Sequence, residues 1–528
     1  MEKRLIIAIA LSIFVIVTFQ CFIPKPTTPV PEVKQVEQIP QAQAKGSEIS
    51  AAKPQISVEE KELIIETDKY ILTFSNIGGA IKNIRLKEYK NLNSTEPLDL
   101  VDIKDPREYI FSTSFMQNSA LINTLAYDIE QKVGVITCLL TTKDLEITKV
   151  YNLHKSKNTI DLQLFIKNIS SAPIDLGYSV VGGAGIVETN AQDKNLIEAT
   201  ANINAKPVGF RRPKKDERII NPGMVNWAAL KTKYFSIILK PFTTTRGRFC
   251  SLDINQNPVM GLESDAVTIQ PNSSVENKFL LYVGPSQISM LREAGYGLEE
   301  SINYGFFGGI SKVMIVAMRF FYNVTHSWGI AIILLSIFLN VILFPLTLKS
   351  FKSMQKMQEL HPQMEKLKIQ HKGNPQKLNK EIMELYKKYK INPFSGCVPM
   401  LLQMPVFISL YQALMKSIEL RGTGFLWIKD LSAPDSMPLP MAFPIIGNSI
   451  NILPVIMVAA MVLQQKISTK TMGSAVTEEQ KQQQKMMLII MPIMFGFIFY
   501  NMPSGLVLYW VVNTVLTIVE QGAILKKA

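Results

Sequence analysis

The 528-residue sequence predicts a multi-span α-helical membrane protein that carries a large all-β sandwich domain outside the bilayer. Three observations predict it. Apolar residues gather into blocks near the roughly 20 residues that cross a bilayer, although the chain as a whole is only 47% hydrophobic. Residues 57–285 break into short alternating runs separated by turn signals. The net charge of +13 sits beside the apolar blocks: residues 57–300 hold 28 Lys and Arg against 29 Asp and Glu, whereas 349–390 alone carry 11 Lys and 4 Glu. That distribution follows the positive-inside rule. No basic-aromatic module accompanies it, so no specific nucleic-acid partner is expected.

The elements follow in order. Leu5–Ile23 lies behind Lys3 and Arg4 and has no small-x-small cleavage site, so 1–23 reads as a retained signal anchor. Residues 24–56 carry six prolines among Gln, Lys and Glu and predict a disordered tether. The β domain, 57–285, is expected to include strands at Leu63–Glu66, Tyr70–Phe74, Thr159–Ile166 and Phe279–Val283. Its turns are expected at Asn76-Ile77-Gly78-Gly79, Asn221-Pro222-Gly223 and Gln270-Pro271-Asn272. Its basic group Arg211, Arg212, Lys214 and Lys215 fits a solvated loop or a docking patch. Cys138 and Cys250 fit a disulfide or two buried thiols. Residues 303–325 contain Lys312 and Arg319 on one helical stripe, opposite Phe306, Ile310, Val313, Ala317 and Phe321. This pattern is that of an interfacial amphipathic helix. Spans are expected at about 328–348, 397–418, 440–463, 486–502 and 505–525; with the anchor they make six, and both termini fall on the inner side. The run 486–502 is short and holds Pro492, which suggests local membrane thinning.

Two constellations bear on function. In 349–390, Met354, Met357, Met364 and Leu367 recur near helical spacing. After Gly373-Asn374-Pro375, Leu378, Ile382, Leu385 and Tyr389 resume it. The result is an antiparallel helical hairpin, with His361-Pro362 able to kink its first arm. Its methionines suit either a surface that captures varied apolar segments or the hairpin's own seam. The second constellation is polar residues inside the apolar blocks: Ser336 and Asn340 on one helix face, Gln403 in the next block, and Trp510, Asn513, Thr514 and Thr517 along the last. Such groups fit interhelical hydrogen bonding or a hydrated groove that eases passage of a polar segment.

The run Asn392-Pro393-Phe394-Ser395-Gly396-Cys397-Val398-Pro399-Met400-Leu401-Leu402-Gln403-Met404-Pro405-Val406-Phe407 resembles the signature of the YidC/Oxa/Alb insertase family. Met502-Pro503-Ser504-Gly505-Leu506-Val507-Leu508-Tyr509-Trp510 and Phe344-Pro345-Leu346-Thr347 are similar to it as well. The resemblance implies a five-helix insertase core over 328–525 and, with the added anchor and β domain, the Gram-negative form. It implies a bacterial inner-membrane protein with a periplasmic β domain and cytoplasmic termini. Its partners would be nascent membrane proteins, the Sec translocon, the ribosome and membrane lipids. Substrate would slide along 328–348 and 505–525, and no cofactor is expected. The family usually carries an arginine four residues after the hydroxyl residue of the first core helix. Here Ser336 is followed at that place by Asn340, which keeps hydrogen bonding and removes the charge.

Two other classes compete. A secondary transporter needs ionisable groups near the midplane, and the core spans offer only Glu520 near one end. An envelope glycan-binding or glycan-modifying protein would use the β domain, whose family counterpart resembles carbohydrate-active sandwiches. That domain has one histidine, His154, and no nucleophile, metal or nucleotide motif, so no enzymatic activity is expected.

Overall fold

The computed structural model describes residues 59–91, 95–115, 122–187, 197–210, 218–242, 247–254, 257–371, 373–389, 398–443, 447–471 and 478–527. The anchor 1–23, the tether 24–56, the group Arg211, Arg212, Lys214 and Lys215, and Asn392–Cys397 lie outside them. The chain divides into two compact units, one ending at Asn303 and the other beginning at Tyr304.

The first unit is built on a nine-stranded antiparallel sheet. Its spatial order is Lys206–Phe210, Glu198–Ile203, Val225–Lys231, Phe235–Pro241, Ser274–Pro285, Thr159–Asn168, Leu145–Leu153, Val135–Thr141 and Asp128–Lys132. Thr159–Asn168 alternates buried and half-buried positions, as the period of a strand with one covered face requires. Phe235–Pro241 and Ser274–Pro285 run near the middle and are buried along most of their length. A five-stranded sheet covers one face. At Gly182 a Cβ would lie 2.6 Å from the Leu239 side chain of the nine-stranded sheet, so glycine is what lets the layers meet. A four-stranded meander, Glu62–Glu66 through Pro97–Asp102, packs Phe74 edge-on to Tyr151 at 5.1 Å.

All four strand segments named from the sequence form, and Ser273 N–H bonds Gln270 O at 3.0 Å in the expected turn. Asn221-Pro222-Gly223 is a correction. It lies inside strand Arg218–Gly223, whose one neighbour in its sheet is Gly247–Ile254; an edge strand tolerates a proline that has no N–H to donate. Cys138 is a buried free thiol, and burial raises its pKa to about 11.

Beside Cys138, across the strand pair, lies Lys149, which is fully buried. Its Nζ donates to Gly78 O at 2.6 Å and Phe111 O at 2.7 Å, and stands 5.1 Å from the centre of the Tyr127 ring. One side chain thus ties the meander's Gly78 turn to the nine-stranded sheet. Burial pushes its pKa down from 10.5 to about 7.

The second unit is helical. Its described helices, with α1 the short Ile288–Ala294 helix of the first unit, are α2 (Gly308–Thr325), α3 (Trp328–Glu359), α4 (His361–Gln370), α5 (Pro375–Lys388), α6 (Val398–Met415), α7 (Ile452–Thr471), α8 (Glu478–Phe499) and α9 (Ser504–Lys527). α3 and α9 are long and apolar enough to cross a membrane; α6, α7 and α8 contribute the shorter apolar stretches Leu402–Met415, Ile452–Ser468 and Leu488–Phe499. Leu335, Leu414, Met457, Phe499 and Leu506 share one core. Large apolar side chains such as Val341, Ile493, Phe497 and Val519 point outward and are exposed.

Three expectations change here. The block 440–463 is helical only from Ile452, because Met437–Phe443 and Gly447–Ile450 pair as a hairpin whose Pro438 and Pro440 disfavour a helix interior. The first arm of the 349–390 hairpin is divided: Lys349–Glu359 continues α3, and α4 begins at His361-Pro362, proline fitting the first turn. In α2 the apolar residues serve two faces. Met314, Ile315 and Met318 are buried, while Ile310, Val313, Val316, Phe320 and Val324 face outward. Arg319 is not on an open polar stripe; its guanidinium binds Glu419 Oε1 at 2.6 and 3.1 Å.

Lys149 sets a testable pH dependence. Between pH about 7 and 10.5 the unfolded chain holds the lysine proton and the folded domain does not. Stability of the β domain therefore falls as pH drops through that window, with a slope of up to about 1.4 kcal/mol per pH unit. Thermal melts from pH 7 to 10 should show this slope, and Lys149→Met should flatten it.

Candidate functional site: a polar seam along the last helix

α9 has to place polar residues within an apolar helix, and it puts them in a row. Tyr509, Asn513, Thr517 and Gln521 are spaced by four, which aligns them on one face. Three of the four reach a different helix. Tyr509 OH accepts from Gln403 Nε2 on α6. Asn513 Oδ1 accepts from Asn340 Nδ2 on α3 at 2.8 Å. Gln521 Nε2 donates to Ser468 Oγ on α7 at 3.1 Å. Thr517 Oγ1 instead donates to Asn513 O, one turn back, at 2.8 Å.

The sequence-named residues divide accordingly. Asn340 and Asn513 meet directly, and Gln403 joins the seam through Tyr509. Ser336 and Thr514 are buried, and their hydroxyls donate to the carbonyls of Ile332 and Trp510 on their own helices at 2.7 and 2.8 Å. A serine or threonine bonded back in this way is satisfied without a partner helix. Trp510 belongs to an aromatic cluster with Phe407, Phe495 and Phe499, ring centres 5.2 to 5.6 Å from its own. Tyr509 and Gln521 were missed from the sequence. The spacing of four from Asn513 was the available signal, obscured because tyrosine reads as apolar and Gln521 lies close to the chain end.

The hairpin is antiparallel and closes on itself at several points. Tyr386 OH donates to Met364 Sδ at 3.5 Å, Gln363 Nε2 donates to Tyr389 OH at 3.3 Å, and His371 Nε2 lies 3.3 Å from Glu381 Oε1. Asn374 caps α5 by accepting from Lys377 N–H at 3.1 Å, with Pro375 following it. Met357, Met364, Leu378, Ile382 and Leu385 are half-buried, and Met354 lies on the α3 extension. Among the described residues Ile369, Met383 and Tyr389 stand out, 71%, 50% and 42% exposed.

Comparison with known proteins follows this geometry. A family model described as 60Kd inner membrane protein matches residues 320–528, and one described as YidC periplasmic domain matches 62–317. The membrane protein insertase YidC of Geotalea daltonii is 32% identical over 560 residues, covering 100% of this chain and 99% of that one. The chain belongs to the YidC family of membrane protein insertases. The Geobacter metallireducens member is likewise 32% identical, covering 100% of this chain and 98% of its own. A crystal structure of an active YidC insertase with the first transmembrane domain resolved matches with a TM-score of 0.37 at 18% identity, covering 88% of this chain and 92% of that chain. Family membership makes this chain an inner-membrane insertase rather than an enzyme, with a helical core and a β-rich periplasmic domain.

The seam predicts a measurable coupling. In a double-mutant cycle of Asn340→Leu and Asn513→Leu, unfolding in detergent should give an interaction energy of about 0.6 kcal/mol, and at most about 1.7. Because each single variant already leaves one amide without its partner, the double variant should be destabilised by less than the sum of the two single variants.

Proposed function

We propose that this insertase passes the polar end of a nascent membrane protein along the α9 seam while the apolar part of that cargo enters lipid beside α3 and α9. The observation that carries the reading is that three helices place polar groups on one stripe of α9. Each of these hydrogen bonds is weak enough to exchange for one with a passing polar segment. Burial of the cargo's apolar surface drives the step, at roughly 25 cal/mol per Å², so no nucleotide or cofactor is required. Asn340 makes this solvation by neutral donors and acceptors, without charge attraction.

The accompanying topology has six spans: the anchor 1–23 and α3, α6, α7, α8 and α9. The domain boundaries follow, with 24–56 as tether, 57–285 as β domain, 303–325 in the interface and 328–525 as core. The lysine-rich 349–390 hairpin and both termini are cytoplasmic. The apolar run 486–502, with Pro492 inside α8, is about 26 Å long at 1.5 Å per residue, short of the roughly 30 Å hydrocarbon core. A thinned bilayer beside it would shorten the polar path. Residues Met354, Met357, Met364, Leu378, Ile382 and Leu385 would receive cargo when the hairpin opens. The ribosome and the Sec translocon are the partners that would deliver it.

Insertion kinetics in proteoliposomes test the reading. Asn340→Leu with Asn513→Leu should slow insertion of cargo with a polar translocated tail several-fold and leave tail-less cargo unchanged. Equal rates for both cargoes, in a variant that retains its fold, remove the seam from the mechanism.

A further inference from the structure

The segment between α6 and the strand at Met437 is organised around a two-residue turn. Phe425 and Ile428 exchange both backbone hydrogen bonds, at 2.8 and 2.9 Å, and leave Leu426 and Trp427 as the tip. Leu426 has φ of 54°, in the left-handed region that favours glycine or asparagine, and it is 75% exposed. Trp427 is 39% exposed. Only the first of the two tip residues has positive φ, and a two-residue turn of that kind that faced water would be expected to carry Gly at that place. This one stores backbone strain in order to present two large apolar side chains.

The stem beneath the tip is fixed on three helices. The Phe425 ring lies on the backbone of Gly329, where a Cβ would come within 2.1 Å of it. Ile428 and Leu431 are buried in the helical core. Leu431 O accepts from Gly505 N–H at the start of α9, at 2.9 Å. The Trp427 indole N–H donates to Asp435 Oδ2 at 3.3 Å, and the same oxygen accepts from Leu453 N–H at the start of α7, at 2.8 Å. The tip is therefore a rigid projection from the N-terminal ends of α3, α7 and α9.

The surroundings at that end indicate what meets it. Tyr322 stacks on Trp328 with ring centres 4.1 Å apart, and the neighbouring Phe320 and Val324 face outward. Tryptophan and tyrosine concentrate at the headgroup level of a bilayer. Lys429, exposed beside the tip, suits a lipid phosphate.

We propose that the Leu426–Trp427 tip is a lipid anchor, seated at the headgroup–acyl boundary of the leaflet at the N-terminal ends of α3 and α9. The inference rests on the reading that these two helices span the bilayer. Transfer of the two side chains out of water offsets the left-handed leucine. The anchor sets the depth at which α3 and α9 sit, and with it the depth of the polar seam between them.

The test uses the full chain with its four cysteines replaced, carrying Leu426→Cys labelled with an environment-sensitive fluorophore. Trp427→Cys serves as a second site in case the first disturbs folding. Controls are Val519→Cys on α9 and Lys132→Cys on the β domain. The protein is reconstituted in phosphatidylethanolamine–phosphatidylglycerol vesicles containing lipids spin-labelled near the headgroup or at mid-chain. The expected result is at least twofold quenching at the tip by the shallow label, a weaker effect of the deep label, and none at Lys132. Tip quenching no greater than at Lys132, with Val519 quenched, overturns the anchor and leaves the spanning reading intact. Protection of the tip from both lipid labels and aqueous iodide means a protein covers it, which also overturns the anchor. Absence of quenching at Val519 overturns both readings.

Discussion

A polar group inside an apolar helix must find a partner or water, and the helical unit is arranged around that constraint at α9. Tyr509, Asn513 and Gln521 each engage a different neighbour, on α6, α3 and α7. The residues that find no interhelical partner, Ser336, Thr514 and Thr517, bond their own backbone one turn earlier. Among the described residues no charged pair lies along this stripe, so its interhelical bonds, set within a packed apolar core, are of the weak, exchangeable kind. That property is what the proposed route requires: a core that stays folded without cargo and exchanges hydrogen bonds with cargo that arrives.

The same logic appears in the rest of the molecule with different chemistry. Arg319 and Glu419 join α2 to the segment after α6, and Asp435 gathers the Trp427 indole and the Leu453 N–H in the first turn of α7. Several helix ends are therefore gathered at one level by specific polar bonds, while the outward faces of α3, α8 and α9 carry exposed apolar side chains. In the β domain the buried lysine plays the joining part. Lys149 reaches the carbonyls of Gly78 and Phe111, so two sheets depend on an amine whose pKa burial pushes down to about 7.

Much of this was legible in the sequence, for physical reasons. Strand periodicity pointed to Tyr70–Phe74 and Thr159–Ile166, which form within strands Tyr70–Ser75 and Thr159–Asn168, because one face of each is covered. The i,i+4 rule put Ser336 and Asn340 on one face, Asn513 was named as a polar residue inside an apolar block, and the apolar blocks located α3 and α9. The less legible features depend on contacts distant in sequence. Nothing local indicates that Lys149 is buried, since an alternating strand with a lysine reads as solvent-facing there. Arg319 looked like part of a wet stripe because its partner Glu419 is 100 residues away. Asn221-Pro222-Gly223 has turn chemistry, and only its place on a sheet edge makes it a strand. His361-Pro362 marked the break in the first arm, but that Lys349–Glu359 belongs to the same helix as the span was hidden, because the change from apolar to lysine-rich sequence there is not accompanied by a break in the helix.

The central claim, that cargo travels along the α9 seam, is tested most directly by photocrosslinking from two positions on that one helix. A photoreactive residue at Asn513 lies in the seam, and one at Val519 faces outward, 62% exposed. With a ribosome-bound nascent chain whose polar tail is stalled midway, the account predicts strong crosslinks from Asn513 to the tail and none from Val519 to it. Crosslinks to the tail from Val519 but not Asn513, in a protein shown to be folded and active, would contradict it.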